Sequence, residues 1–137
     1  MTTRSLEARW CDPDLAWMVK EIMRLFERQN PGSHLIVTCT HRSSKDQYQL
    51  WRRGRHNGVV VEPHKVVTYL DGIKKKSKHN LKPAKAVDFA VVHYGKISWD
   101  SVLYEPIGPV VKQVSPRGLD WGGWWKKLKD YPHVELR

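Results

Sequence analysis

Between Asp12 and Asn30 the apolar residues Leu15, Met18, Val19, Ile22, Leu25 and Phe26 recur at three- and four-residue steps, one stripe of an α-helix. Asp12 supplies an N-cap, and Pro13 a first helical residue that needs no amide donor. Asn30-Pro31-Gly32 stops the helix. The β-rich run Leu35 to Thr40 then reads as a strand that delivers His41-Arg42-Ser43 at its end. Ser44-Lys45-Asp46-Gln47 fits a capping box opening a second helix, Gln47 to about Arg53, ended near Gly54. From Arg55 to Lys78 no period is sustained. Val59-Val60-Val61 and Val66-Val67 are candidate short strands inside what otherwise reads as a long functional loop.

Ala86 to Tyr94 reads as a strand, with Gly95-Lys96 turning the chain into Ile97-Ser98-Trp99. Pro109 opens a short helix through Val110, Val111 and Val114, ended by Pro116 and Gly118. Trp121-Gly122-Gly123-Trp124-Trp125 is a tight aromatic segment, and His133 to Leu136 is a final strand. Together these elements predict an α+β fold, with helices packed on a small, mostly antiparallel sheet.

Length and composition add three constraints. The 137 residues, without an internal repeat, suit a single domain spanning the whole chain. Cys11 and Cys39 lack metal-ligand spacing and read as reduced core residues. The first seven residues carry no apolar signal core and no run reaches transmembrane length. The expectation is a monomer that stays in the cytosol unless another component opens a path out, with no membrane insertion.

Charge changes the picture more. The net charge is +10, with Lys74, Lys75, Lys76, Lys78, Lys82 and Lys85 crowded together and Arg52, Arg53 and Arg55 in a smaller cluster. Such a surface attracts polyanions, whether nucleic acid, acidic membrane or anionic cell-wall polymer. Charge alone does not choose among them.

Two histidines and a carboxylate supply candidate metal chemistry. His79 and Asp88 flank a short loop, and His133 comes from the terminal strand. Three protein ligands leave a fourth tetrahedral position open on zinc, the stoichiometry of a catalytic site. Asp130, three residues before His133, is placed where a hydrolase needs a proton acceptor. In a regular strand residues three apart face opposite sides, so Tyr131-Pro132 must break that parity. Each residue also has a plain structural alternative: a hydrogen-bonded histidine, or an aspartate that caps or pairs with a lysine. His34, His41, His56, His64 and His93 lie outside any ligand spacing, with His41 and His93 as candidates for an outer layer around the site.

The combined pattern resembles a known family. Ser77-x-His79 followed by Ala86-x-Asp88, and then Asp130-x-x-His133-x-Glu135-Leu136, is similar to the D-alanyl-D-alanine-type zinc peptidases of bacterial cell-wall metabolism. Within them it resembles the phage L-alanyl-D-glutamate peptidases, the catalytic domains of many endolysins. Arg42-Ser43 with Gln47, the basic stretch Leu50 to Arg55, and Trp121-Gly122-Gly123 before Lys129-Asp130-Tyr131-Pro132-His133 extend the likeness over about residues 12 to 136. Two positions depart from it. Ala84 stands where many members have glycine, and Trp124 where relatives often have aspartate; Asp120 lies nearby.

The resemblance implies a zinc site on the sheet of a D-Ala-D-Ala peptidase/hedgehog-like fold, holding one Zn2+ per chain through His79, Asp88 and His133. Asp130 would be the general acid/base, Arg42 would bind substrate and steady the oxyanion, and Ser77 and Gln47 would support the site. It implies an endolysin that cuts the L-Ala–D-Glu bond of peptidoglycan, without a separate cell-wall-binding domain. Such an enzyme collects in the host cytoplasm and reaches the wall through a lesion made by another protein. Its basic surface would hold anionic wall or outer-membrane polymers. The competing expectations are a D-Ala-D-Ala carboxypeptidase or dipeptidase with the same zinc chemistry, a metal-binding structural domain, and a non-enzymatic polyanion-binding domain. The last leaves the ordered His/Asp/Asp/His set unexplained, so no nucleic-acid partner is expected.

Overall fold

Helix α1 (Pro13–Gln29) forms where the apolar stripe predicts it, and the Asp12 carboxylate accepts from the Asp14 and Leu15 amides at its first turn. The computed structural model describes all residues, Met1–Arg137. Strand β1 (Ser33–Cys39) follows, then helix α2 (Ser44–Trp51), which starts earlier than the predicted Gln47. The N-cap is Ser43, one residue ahead of the expected Ser44; its hydroxyl accepts from the Asp46 amide. The long loop contains one small hairpin, β2 (Arg55–His56) with β3 (Val59–Val60), whereas Val66-Val67 forms no strand.

Strand β4 (Ala86–His93) is the centre of the molecule. It pairs antiparallel with β1 along one edge; the other edge is shared by β5 (Lys96–Ser98) and β7 (His133–Leu136). Strand β6 (Leu119–Trp121) pairs in turn with β7, completing a five-stranded antiparallel sheet. Tyr94 and Gly95, at φ of 45° and 80°, make the tight turn between β4 and β5. Two short helices bridge β5 and β6: α3 (Ser101–Tyr104) and α4 (Ile107–Val114). Pro109 lies in the first turn of α4, where an amide has no intrahelical partner to lose.

One face of the sheet is covered. Leu15, Val19, Ile22 and Phe26 of α1 and Ile107, Val110 and Val111 of α4 enclose Leu35, Val87, Phe89, Val91 and Val134. Tyr104 stitches the layers together: its hydroxyl accepts from the Val91 amide and donates to the Ser98 carbonyl. Cys11 belongs to this core, as expected of a reduced thiol. No helix is long and apolar enough to cross a membrane.

Candidate active site

Strand parity separates the chemistry from the core. Val87, Phe89 and Val91 point into the helical layer, so Asp88 between them points to the opposite face. Register then supplies its neighbours, since Asp88 sits across from His133 on one side and Cys39 on the other. Glu135, two residues beyond His133, shares that face. His79 arrives on a single 3₁₀ turn, Lys78–Asn80, capped by Ser77, whose hydroxyl accepts from the His79 amide at 3.2 Å. Asn80 closes the box by accepting from the Ser77 amide, and it donates to the Arg42 carbonyl. Ser77 therefore supports the site by fixing the turn that carries His79.

Three potential ligand atoms meet. His79 Nε2 lies 3.2 Å from Asp88 Oδ1 and 3.2 Å from His133 Nδ1, and His133 Nδ1 lies 3.0 Å from the same oxygen. Metal–ligand distances of about 2.0–2.1 Å at a tetrahedral zinc require edges of about 3.3 Å. The triangle already has nearly that size.

The outer nitrogens of both rings are committed. His79 Nδ1 lies 2.7 Å from the Thr40 carbonyl, which can only accept, so this nitrogen donates and Nε2 turns inward. His133 Nε2 stands 2.8 Å from Glu135 Oε1 and donates to it, leaving Nδ1 to face the centre. Outer partners of this kind orient metal-binding imidazoles. Lys78 Nζ holds the other Glu135 oxygen at 2.9 Å.

Burial works against charge on both imidazoles, but Asp88 outweighs it in the metal-free protein. It raises His79 to about 10 and, together with Glu135, raises His133 to about 9. Burial likewise opposes the charge on Asp88, yet the two imidazoles hold its carboxyl well below the usual range. A buried carboxylate that draws positive charge onto both neighbours is well matched by a divalent cation, which supplies that charge in place of protons. The donor set therefore fits zinc.

Asp130 reaches the same face by a turn. The His133 amide donates to the Asp130 carbonyl at 3.1 Å, so Asp130 to His133 close a β-turn just before β7. The parity problem raised by a continuous strand disappears, and Asp130 Oδ2 comes within 3.8 Å of His133 Nδ1. Burial and the nearby Asp88 charge raise the Asp130 carboxyl above its ordinary range, although its side chain keeps 45% exposure and solvent moderates the effect. Gly122 holds the turn from behind: its carbonyl accepts from the Asp130 amide at 3.0 Å. A Cβ on Gly122 would lie 2.1 Å from the Asp130 carbonyl oxygen. Gly122→Ala is expected to destabilise the protein by about 1–3 kcal/mol, measured by urea unfolding, because backbone must shift to relieve the overlap.

Arg42 lines the cleft with its side chain largely buried. It donates to Gln47 Oε1 at 2.8 Å and to Asp88 Oδ2 at 3.3 Å, and it also contacts Cys39 Sγ at 3.4 Å. It thereby orients Asp88 from behind, and buried Gln47 orients Arg42 while donating to the Leu70 carbonyl. Arg42, Gln47, Ser77, His79, Asp88, Asp130 and His133 all line one cleft of about 660 Å³. The structure thus brings together every site residue the sequence suggests.

Sequence reasoning assigned no role to Thr40, Cys39 or Glu135. Thr40 acts through its carbonyl, which leaves no side-chain signal. Cys39 is reduced and buried, as expected, and its sulfur also lies on the site face, 3.5 Å from His79 Nδ1. Glu135 was detectable by its i+2 spacing from His133. His41 packs against Trp10 and His93 bonds Ser33, so neither is among the hydrogen-bond partners of His79 and His133. The two departures also find local explanations. Ala84 is fully buried and pairs with the segment before α1, which fixes the path from His79 to Asp88. Trp124 packs edge-on against Trp121, and Asp120 is taken by the Trp125 indole at 2.8 Å, which in turn places Trp125 against His133.

The sequence profile of a family described as D-alanyl-D-alanine carboxypeptidase matches residues 71–136, a span that includes His79, Asp88, Asp130 and His133. The peptidoglycan L-alanyl-D-glutamate endopeptidase CwlK of Bacillus subtilis (strain 168) is 35% identical over 115 residues, covering 78% of this chain. The chain spans 63% of that relative's length. The crystal structure of the Serratia marcescens L-Ala D-Glu endopeptidase ChiX superposes with a TM-score of 0.66 at 28% identity, over 100% of this chain and 89% of that one. The segment that carries the motifs and the fold as a whole are thus similar to the D-alanyl-D-alanine carboxypeptidase family and to two L-alanyl-D-glutamate endopeptidases.

Proposed function

We propose that this protein is a zinc-dependent endopeptidase that hydrolyses the L-Ala–D-Glu bond of peptidoglycan stem peptides. One observation carries the chemistry: His79, Asp88 and His133 converge within 3.2 Å of one another, with Asp130 on the open side. Two relatives whose names specify this bond support the choice of substrate.

His79, Asp88 and His133 would hold the ion. When bound, zinc lowers the pKa of a water to about 7 and polarises the scissile carbonyl. Asp130 accepts the proton of the attacking water and passes it to the leaving amine, a role suited to a carboxyl raised above its usual range. Arg42 fixes Asp88 and adds positive charge beside the developing oxyanion. Gln47 and Ser77 hold Arg42 and His79 in place.

Digestion of purified peptidoglycan, followed by mass spectrometry, tests the reading. New peptides with N-terminal D-Glu are expected. Release of terminal D-alanine alone would instead assign a D-Ala-D-Ala carboxypeptidase, and no product with one zinc bound would assign a structural metal site. Glu135→Ala is expected to weaken zinc binding by about 10–100-fold in competition with a chelator, because His133 loses the partner that directs Nδ1 inward.

The phage setting rests on the sequence resemblance. As an endolysin, the protein made inside bacteria would lyse them only when a second protein permeabilises the membrane; lysis without one would overturn that setting.

A further inference from the structure

We propose that the cleft selects its substrate by charge: Arg53, Lys76 and Lys127 form a cationic rim that binds a free carboxylate on the third residue of the stem peptide. This rests on the endopeptidase reading.

On the cleft floor the charges are matched. Asp88 meets Arg42 and both imidazoles, and Glu135 meets Lys78 and His133. Arg53, Lys76 and Lys127 line the same cleft, are exposed, and take part in none of the molecule's ion pairs. They come from three segments: the turn after α2, the stretch before Ser77, and the loop before Asp130. In that last loop Leu128 adopts φ of 44°, a left-handed conformation uncommon for a branched residue, and Lys129 is tied to the Gly123 carbonyl. Only Asp130 remains as an uncommitted carboxylate, and its proton transfer leaves it unsuited to neutralise three cations.

Like charges gathered around a concavity repel one another and focus a positive potential into it. An anionic ligand relieves both effects. The α-carboxylate of D-Glu is two bonds from the leaving nitrogen and so belongs on the floor beside the metal ligands. A carboxylate on the following residue is the next anion along the substrate, and the exposed mouth of the cleft is where it emerges. Lys74, Lys75 and Lys126 are equally exposed but do not line the cleft, so the alignment is not a property of every nearby lysine.

The test uses two synthetic stem tripeptides with a diamino-dicarboxylic third residue whose α-carboxyl is blocked as an amide in both, differing only in whether its side-chain carboxyl is free or amidated. Wild type is expected to cleave the acid with about tenfold higher kcat/KM, mainly through KM, as several exposed ion pairs acting together allow. The preference should shrink as salt rises. In Lys76→Gln/Lys127→Gln it is expected to fall to about twofold or less, with kcat and zinc content kept; in Lys74→Gln/Lys126→Gln, which loses the same charge off the cleft, it should persist. Equal cleavage of both peptides by wild type overturns the charge selection and leaves the endopeptidase standing. So does a preference that survives in the cleft variant. Cleavage of neither overturns the endopeptidase reading and this inference with it.

Discussion

Asp130→Asn is expected to cut turnover on stem peptides by about 10²–10⁴-fold, the range spanned by a positioned proton acceptor. The substitution is nearly isosteric, and the bonds that form the Asp130–His133 turn use backbone atoms. Zinc content and unfolding temperature should therefore stay at wild-type values. An amide cannot take the proton of the attacking water, so the loss belongs in kcat. Activity of wild type should also fall on the acid side, because a protonated Asp130 is useless as a base. A variant that retained full kcat would remove Asp130 from the reaction.

Stripping the metal is the second large effect. His79, Asp88 and His133 come from a 3₁₀ turn and two strands, so zinc that binds the folded site gains little from the unfolded chain. At a free concentration about a thousandfold above Kd, the ion adds about 4 kcal/mol to the folded state. For a domain of this size that corresponds to roughly 10–20 °C in Tm. A chelator should lower the melting temperature by that amount and added zinc should restore it. The effect should diminish towards acid pH, where protons held by His79 and His133 compete for the same atoms. An unchanged melting temperature would mean that the three side chains hold no metal.

Much of this was legible in the residues. Helix α1 could be read outright, because Asp12, Pro13 and an uninterrupted apolar stripe all point the same way. Strand β4 was equally clear from its run of apolar residues. Strand β6 was not, since three residues beside two glycines carry too little pattern to outweigh a turn. Helix α3 escaped for a similar reason, its four residues resting on the Asp100 cap and on Tyr104. His79, Asp88, His133 and Asp130 were visible as a motif, but the way they meet was not. A regular strand would put Asp130 on the wrong face, and the break expected at Tyr131-Pro132 takes the form of the β-turn from Asp130 to His133. Register was likewise invisible: that Cys39, Asp88 and His133 lie abreast depends on pairings between distant segments.

The placement of β7 between β4 and β6 has a kinetic consequence. An interior strand cannot be added to a finished sheet, so pairing of β7 with β4 must precede or accompany closure of that side of the fold. The contacts that build the triad span 45 and 54 residues of chain, and contacts so far apart form late and slowly. Until they form, the imidazoles of His79 and His133 are not neighbours. Partly folded chains should therefore carry neither tight zinc nor hydrolytic activity, and the onset of catalysis during refolding should track the final pairing step, making enzymatic turnover a stopwatch for completion of the sheet.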